Sequence, residues 1–404
     1  MNASDRGAPS RAPEVADIFR EYGPAYRAAN ELPLQHLKAM SAIEACRTPE
    51  LGGFWEVCDN CGVAREVFRS CRNRNCPKCG WMVKEKWLLK RKGELLPVPY
   101  FHVVLTIPDL LNRIALQNQQ AIYDILFKSG SETLLELGRD PKHLGADIGF
   151  IAILHTWGFC MIDHPHLHCV VPGGGLSDDE VEWLRPRKSK RRKKFFVHVN
   201  LISALFRGKF IAYLSQAYQK GELTFEGQIA YLKDPLNFRH LKNQLYDKKW
   251  VTFCKRPFGG PQEVLQYLSR YTHRVAISNH RIIKVEDGRV YLKWKNNRNG
   301  GKLEEHSLEV FEFIRRFLMH VLPTNFYKIR YYGILANRHR RTKIAICQEI
   351  LSVVPSEENE QTAEKSFEEW FFELTGIEAG ICAVCKKGRM LRIEELLPRP
   401  HAPP

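Results

Sequence analysis

Three kinds of pattern follow one another along the chain. From Val15 to Met40 apolar positions recur at the three-to-four spacing of an amphipathic helix, so helical structure is expected there, after a leader over residues 1–16 rich in Pro, Ala and Arg. Cysteines and turn residues take over from Cys46 to Gly80, and WMVKEKWLLKRKGELL then reads as one more helix before Pro97 and Pro99. From Tyr100 the period changes. YFHVVLTI, FIAILHTW and LHCVV are β-rich runs, with the helical pattern NQQAIYDILFKSGSETLLELG among them. Further on, HRIIKVEDGRVYLKWK places Asp287-Gly288 between two β-rich runs, a strong hairpin signal. The acidic stretch PSEENEQTAEKSFEEW, from Pro355, precedes a short tail. The layout is α+β, with expected units at 1–16 (leader), 17–97 (cysteine-rich module), 98–350 (main α+β domain) and 351–404 (acidic linker and tail). No internal repeat is visible.

Composition narrows the class. A chain of 404 residues, 44% hydrophobic and 26% charged, has ordinary globular make-up and room for two or three domains. The excess of 61 Lys+Arg over 45 Asp+Glu leaves +16, which suits a polyanionic partner, nucleic acid first and an anionic membrane surface second. RPRKSKRRKK, ending in Arg191, Arg192, Lys193 and Lys194, carries eight cations in ten residues and reads as a solvated loop or hairpin tip. No apolar run reaches the ~18 residues of a membrane span, and the first residues hold no apolar signal core. The expectation is a soluble, cytoplasmic protein without membrane contact, whose twelve cysteines stay reduced.

Cys58-x2-Cys61 and Cys76-x2-Cys79 are two chelating corners; two residues between thiolates let a tight turn aim both sulfurs at one ion. Gly62 and Gly80 follow each pair and suit knuckle turns, since glycine accepts positive φ. The four thiolates are expected to close one structural Zn²⁺ site, the alternative being reduced thiols without metal. Cys46, Cys71 and His36 are a candidate second zinc set with irregular spacing, and burial as small apolar residues explains them as well. Cys382-x2-Cys385 stands alone in the tail, with His401 as the other obvious ligand there.

The segment LHTWGFCMIDHPHLHCVVPGGG is the most informative. His166-Leu167-His168 alternates on a β-rich run, so both imidazoles project from one sheet face. A turn near Met161-Ile162 would bring His155 opposite His166 or His168, giving three imidazoles with open positions, the form of a catalytic metal site. His164 and Asp163 are rivals for the third place, and ordinary strand histidines are the bland reading.

After Gly259-Gly260, PQEVLQYLSRYTHRVAI has a helical apolar stripe, and Tyr267 and Tyr271 lie one turn apart on one face. Core packing usually explains such a pair. Here Lys255, Arg256, Arg270, His273 and Arg274 surround it, a setting natural around phosphate. A phenol, with a pKa of about 10, needs an activated electrophile, and a divalent ion on a phosphate supplies one.

Together these segments resemble the rolling-circle transposases of the HUH nuclease superfamily, in the two-tyrosine, IS91-like insertion-sequence class. The resemblance rests on CRTPELGGFWEVCDNCG and CRNRNCPKCG, YFHVVLTIP, HTWG followed by HPHLHCVVPGGG, FRGKF, YLSRYTHRVAISNHRI and FLMHVLPTNFYKIRYYGILA, and spans roughly residues 30 to 345. It implies a zinc-binding, DNA-binding module followed by an HUH nuclease domain, an antiparallel sheet flanked by helices with the tyrosine helix beside it. His166 and His168 match the family's metal pair, for Mg²⁺ or Mn²⁺, and Tyr267 and Tyr271 match its paired nucleophiles; His155 as third ligand remains the hairpin inference. The implied reaction is cleavage and rejoining of single-stranded DNA through a 5′-phosphotyrosine. The implied partners are element ends and target DNA in the nucleoid, with host replication proteins as a further class. Lys255, Arg256, Arg270, Arg274, the basic run and the segment Tyr327 to Tyr332 would contact backbone and bases. One departure stands out: Asn75 occupies a position where the family often has His, which puts in doubt a second zinc site using that position. Three other readings stay open: a replication initiator or relaxase, a zinc-finger DNA-binding protein with an inactive nuclease domain, and a His-ligated zinc hydrolase indifferent to both tyrosines.

Overall fold

The computed structural model describes residues 11–186, 197–255, 263–264, 275–296, 302–352 and 378–399, with a few between 366 and 376. The described elements are α1 (Val15–Ala29), α2 (Leu34–Glu44), β1 (Gly53–Cys58), β2 (Ala64–Phe68), α3 (Gly80–Lys92), β3 (Tyr100–Thr106), α4 (Asn112–Gln117), α5 (Gln119–Arg139), β4 (Gly149–Trp157), β5 (Asp163–Pro172), β6 (Gly175–Leu176), β7 (Trp183–Leu184), α6 (Val199–Gln219), α7 (Pro235–Asp247), β8 (Thr252–Lys255), β9 (Ile282–Glu286), β10 (Arg289–Asn296), β11 (Lys302–Glu309), α8 (Val310–Met319), β12 (Ile329–Gly333), α9 (Arg340–Ile350) and β13 (Met390–Leu396). The fold is α+β with antiparallel sheets.

The central sheet has the order β12-β4-β5-β3-β8, every described pair antiparallel. Its strands carry buried apolar residues on both faces, as a sheet covered on both sides requires. Phe101, Val103, Leu105, Phe150, Ala152, Leu154, Leu167, Cys169 and Val171 point to one face, where α5 and α6 cover them with Leu126, Phe127, Leu134, Phe206 and Phe210. Ile151, Ile153, Val170 and Tyr100 point to the other, under Leu88 of α3, Ile344 and Cys347 of α9, and Val264. β4 and β5 form a hairpin whose turn holds Cys160 (φ 50°) and Met161 (φ 55°) in the left-handed region.

A second, three-stranded sheet runs β11-β10-β9. Asp287 (φ 50°) and Gly288 (φ 68°) make the two-residue turn between β9 and β10, the conformation whose twist matches a hairpin. The helical pattern from Val15 is two helices, not one. Pro33 forces Leu32 out of the helical region, so α1 ends at Ala29 and α2 starts at Leu34. Both pack on the second sheet and α8 through a core that includes Ile18, Phe19, Met40, Ile43, Leu292 and Phe313; Phe19 and Phe317 meet edge to face at 5.2 Å. The core therefore crosses the boundary drawn at residue 97. The tail also departs from the sequence reading: β13 pairs antiparallel with β1, Gly53 opposite Leu396 and Cys58 opposite Met390, so it completes the sheet of the cysteine-rich module. No described helix is long and apolar enough to cross a membrane.

Candidate metal centres and the cleft between them

The β4–β5 register sets His155 opposite His166, and Ile153 opposite His168. All three histidines thus share a face, and one nitrogen from each lies within 4.8 Å of the others. His166 Nε2 is 3.0 Å from His168 Nε2, and ligands at about 2.1 Å in an octahedral shell sit about 3 Å apart at neighbouring positions. The ring contacts continue outward, with His155 stacked on Trp157 at 4.7 Å. His166 Nδ1 donates to the His164 carbonyl at 2.6 Å. A carbonyl only accepts, so neutral His166 keeps its Nε2 lone pair for a cation. Burial pushes the His166 imidazolium down to about 4, against a rise from that backbone bond, which favours the neutral, ligating form.

The two rivals fall away for geometric reasons. Asp163 belongs to the opposite parity of β5 and lies near Tyr123 of α5, where burial raises its carboxyl to about 7. His164 has the right parity but is exposed; its ring lies 5.1 Å from that of His166 and its carbonyl accepts from His166, yet its nitrogens do not join the converging group. One residue that sequence reasoning missed stands behind the centre. His102 on β3 is buried, and its Nε2 is 2.8 Å from His168 Nδ1. With Nε2 of His168 turned to a cation, its Nδ1 carries the proton and donates to His102. The signal was the parity of YFHVVLTI, legible only once β3 is known to lie beside β5.

The cysteines assemble differently from the expectation. Cys58 and Cys61 do not join Cys76 and Cys79. Cys46, Cys71, Cys76 and Cys79 form one group, and Cys58, Cys61, Cys382 and Cys385 another. The reason lies in the elements: Cys58 ends β1, against β13, whereas Cys79 is the residue from which α3 starts, beside Cys46 just past α2. His36 is in neither group. In the first, Cys46 and Cys79 sulfurs are 3.5 Å apart and Cys71 and Cys79 sulfurs 3.6 Å. A tetrahedral zinc with bonds of about 2.3 Å separates its thiolates by about 3.8 Å, so this group fits a closed structural site. Hydrogen bonds from Cys46, Cys71 and Cys76 pull the Cys79 thiol strongly down, while Cys46 and its neighbours drive Cys76 up; four sulfurs this close cannot all carry charge without a cation. Asn75 is not needed, since four sulfurs are already in place.

The loop between Cys71 and Cys76 reaches into a cleft at the end of β4. Arg74 donates to the carbonyls of Leu322 at 2.9 Å and of Phe326 and Pro323 at 2.6 Å. It lines the cleft with Thr156, Trp157, His320, Lys328 and Val275. Burial pushes the Lys328 amine down to about 8. His320 Nε2 donates to the Met161 carbonyl and its Nδ1 accepts from Thr156 Oγ1, both at 3.0 Å.

Tyr267 and Tyr271 lie outside the described residues, as do Arg256, Arg270, Arg274, Arg191, Arg192, Lys193, Lys194 and His401. Their flanks are described. Val264 is fully buried beside Ile151, Val170 and Tyr100, on the histidine face of the sheet. Val275 and Ala276 line the cleft beside Trp157. Lys255 ends β8, opposite His102. The segment Tyr327 to Tyr332 serves the fold more than the surface: Arg330 pairs with Asp124 and covers Phe127, Tyr331 Oη accepts from Trp87 Nε1 at 2.8 Å, and Tyr332 stacks on Phe150. Tyr327 is exposed.

Residues 18–107 match the family model described as "Transposase zinc-binding domain", and residues 149–343 the one described as "Putative transposase". A protein of Sinorhizobium fredii (strain NBRC 101917 / NGR234) named "Putative transposase y4qJ" is 46% identical over 383 residues, 95% of this chain and 95% of its own. The transposase for insertion sequence element IS801 of Pseudomonas savastanoi pv. phaseolicola is 25% identical over 306 residues, 75% of this chain and 70% of the relative. No solved structure matches the chain.

Proposed function

The chain belongs to the IS91 family of transposases, and from that premise we propose that it cleaves and rejoins single-stranded DNA ends by tyrosine transesterification, with Tyr267 and Tyr271 as nucleophiles. The phenolate oxygen of one tyrosine attacks a phosphodiester, forming a P–O bond to the protein as the bond to the 3′-oxygen breaks. The departing 3′-oxygen takes up a proton, leaving a 5′-phosphotyrosine and a 3′-hydroxyl. A second tyrosine lets one DNA end stay attached while another strand is attacked.

One observation carries this reading. The chain enters the tyrosine segment at Val264, on the histidine face, and leaves it at Val275 and Ala276, in the cleft next to Trp157. Both flanks are packed beside the strands of His155, His166 and His168. These three imidazoles would hold Mg²⁺ or Mn²⁺, which supplies charge neutralisation and orientation of the scissile phosphate. His102 and the His164 carbonyl hold the ligating rings in orientation. Arg74 and Lys328 give the cleft the positive potential that a DNA backbone needs. Labelled single-stranded oligonucleotides carrying the element's ends, incubated with the protein and Mn²⁺, are expected to give a covalent adduct on a denaturing gel. The Tyr267→Phe, Tyr271→Phe double variant gives none; an adduct of undiminished yield from that variant refutes the assignment.

A further inference from the structure

Among the described residues, the second thiol group joins the two ends of the chain. Cys58 and Cys385 sulfurs are 3.6 Å apart and Cys61 and Cys382 sulfurs 3.8 Å, the spacing of thiolates around one tetrahedral zinc, about 3.8 Å. The two halves are built alike. In one knuckle Gly62 N donates to the Cys58 carbonyl at 3.0 Å, and in the other Lys386 N donates to the Cys382 carbonyl at 2.9 Å. Gly62 (φ 71°) and Lys386 (φ 56°) hold the left-handed conformation at equivalent places, each just after its second cysteine. Around the sulfurs the backbone is tied across the chain: Arg389 N donates to Asp59 Oδ1 at 2.8 Å and Asp59 N to the Arg389 carbonyl at 3.1 Å. Gly388 N donates to Cys385 Sγ at 3.3 Å, and a Cβ on Gly388 would fall 2.6 Å from Cys58 Sγ. The tail packs as closely as backbone allows.

We propose that Cys58, Cys61, Cys382 and Cys385 hold a second structural zinc, which fastens the tail onto the N-terminal module and closes the loop that contains the catalytic segment. Two of the ligands lie far beyond the matched zinc-binding domain, residues 18–107. Apart from the metal, β13 is held to the N-terminal module by its strand pairing with β1, by Arg392 against Glu56 and the Phe54 ring, and by the Arg69–Glu395 ion pair; Leu391 and Ile393 are exposed, so the ion adds a fixed point to contacts that lie at the surface. A clip that closes so long a loop also restricts the unfolded chain strongly.

Zinc per chain, measured by atomic emission on the purified full-length protein, is expected to be two, falling to one in the Cys382→Ser, Cys385→Ser variant. One zinc in the wild type, unchanged by that double substitution, overturns the proposal. Alkylation mapped by mass spectrometry on the wild type answers independently of how the variant folds. In the zinc-loaded protein Cys61, although exposed, stays unmodified together with Cys385, and a chelator releases both. Alkylation of Cys61 and Cys385 while zinc remains bound overturns the proposal.

Discussion

The histidine centre and the Cys46 cluster use the same device, side chains converging on one point, but they end differently. The four cysteines surround their point completely and come from segments whose order depends on them: the end of α2, an irregular loop and the start of α3. The three histidines stand on two adjacent strands of a sheet that is packed on both faces without them, and they leave part of the shell open. A closed shell leaves no place for substrate and contributes to folding; an open one on a rigid platform leaves room for a phosphate. Substitutions at the first centre should therefore cost structure, and at the second chemistry.

The largest effect is expected at the closed cluster. Cys76→Ser removes one of four ligands, and since metal binding at such sites contributes folding free energy of several kcal/mol, melting should fall by roughly 10 °C or more, with zinc lost. Next comes His168→Ala. Cleavage of single-stranded DNA should drop on the order of 10³-fold, equivalent to several kcal/mol of transition-state stabilisation, while the melting temperature and DNA affinity stay near those of the wild type. If His168→Ala unfolds the protein, the contrast between the two centres fails.

A smaller effect sharpens the contrast. His102 contacts the ligating ring and not the cation, so His102→Phe should weaken Mn²⁺ activation about 10–100-fold, seen as a higher Mn²⁺ requirement for cleavage. His102→Gln, which restores an acceptor for His168 Nδ1, should recover part of it. The last effect is confined to acid and leaves neutral pH untouched. Burial holds His320 down to about 4, below the ordinary 6.5. Above pH 6.5 both folded and unfolded imidazoles are neutral. Below it the unfolded chain takes a proton that the buried ring refuses, so stability falls with pH and levels off near pH 4, by at most about 3 kcal/mol. In His320→Gln, denaturant unfolding between pH 7 and 4 should lose that part of the slope.

How much of this was legible depends on whether the relation was local. The alternation of His166 and His168 and the spacing of His155 before a short turn predict a shared face, because strand parity is a property of the sequence alone. The Asp287-Gly288 hairpin was readable for the same reason. The cysteine partners were not. Cys58-x2-Cys61 looks complete beside Cys76-x2-Cys79, and nothing local reveals that β13 returns some 330 residues later to lie on β1, bringing Cys382 and Cys385 to it. His102 was hidden likewise, since its contact depends on which strands are neighbours. The break at Pro33 does not show in the apolar spacing, which runs on across it from α1 into α2.

The central claim is that Tyr267 and Tyr271, in the segment whose flanks Val264 and Val275 pack beside the histidine strands, are the groups that take up the DNA. Its most direct test is to digest the Mn²⁺-dependent covalent adduct and locate the attached nucleotide by tandem mass spectrometry. The account predicts modification of Tyr267 or Tyr271, absent when His166 and His168 are replaced by Ala. An adduct on any other residue, or one formed equally without those histidines, contradicts it.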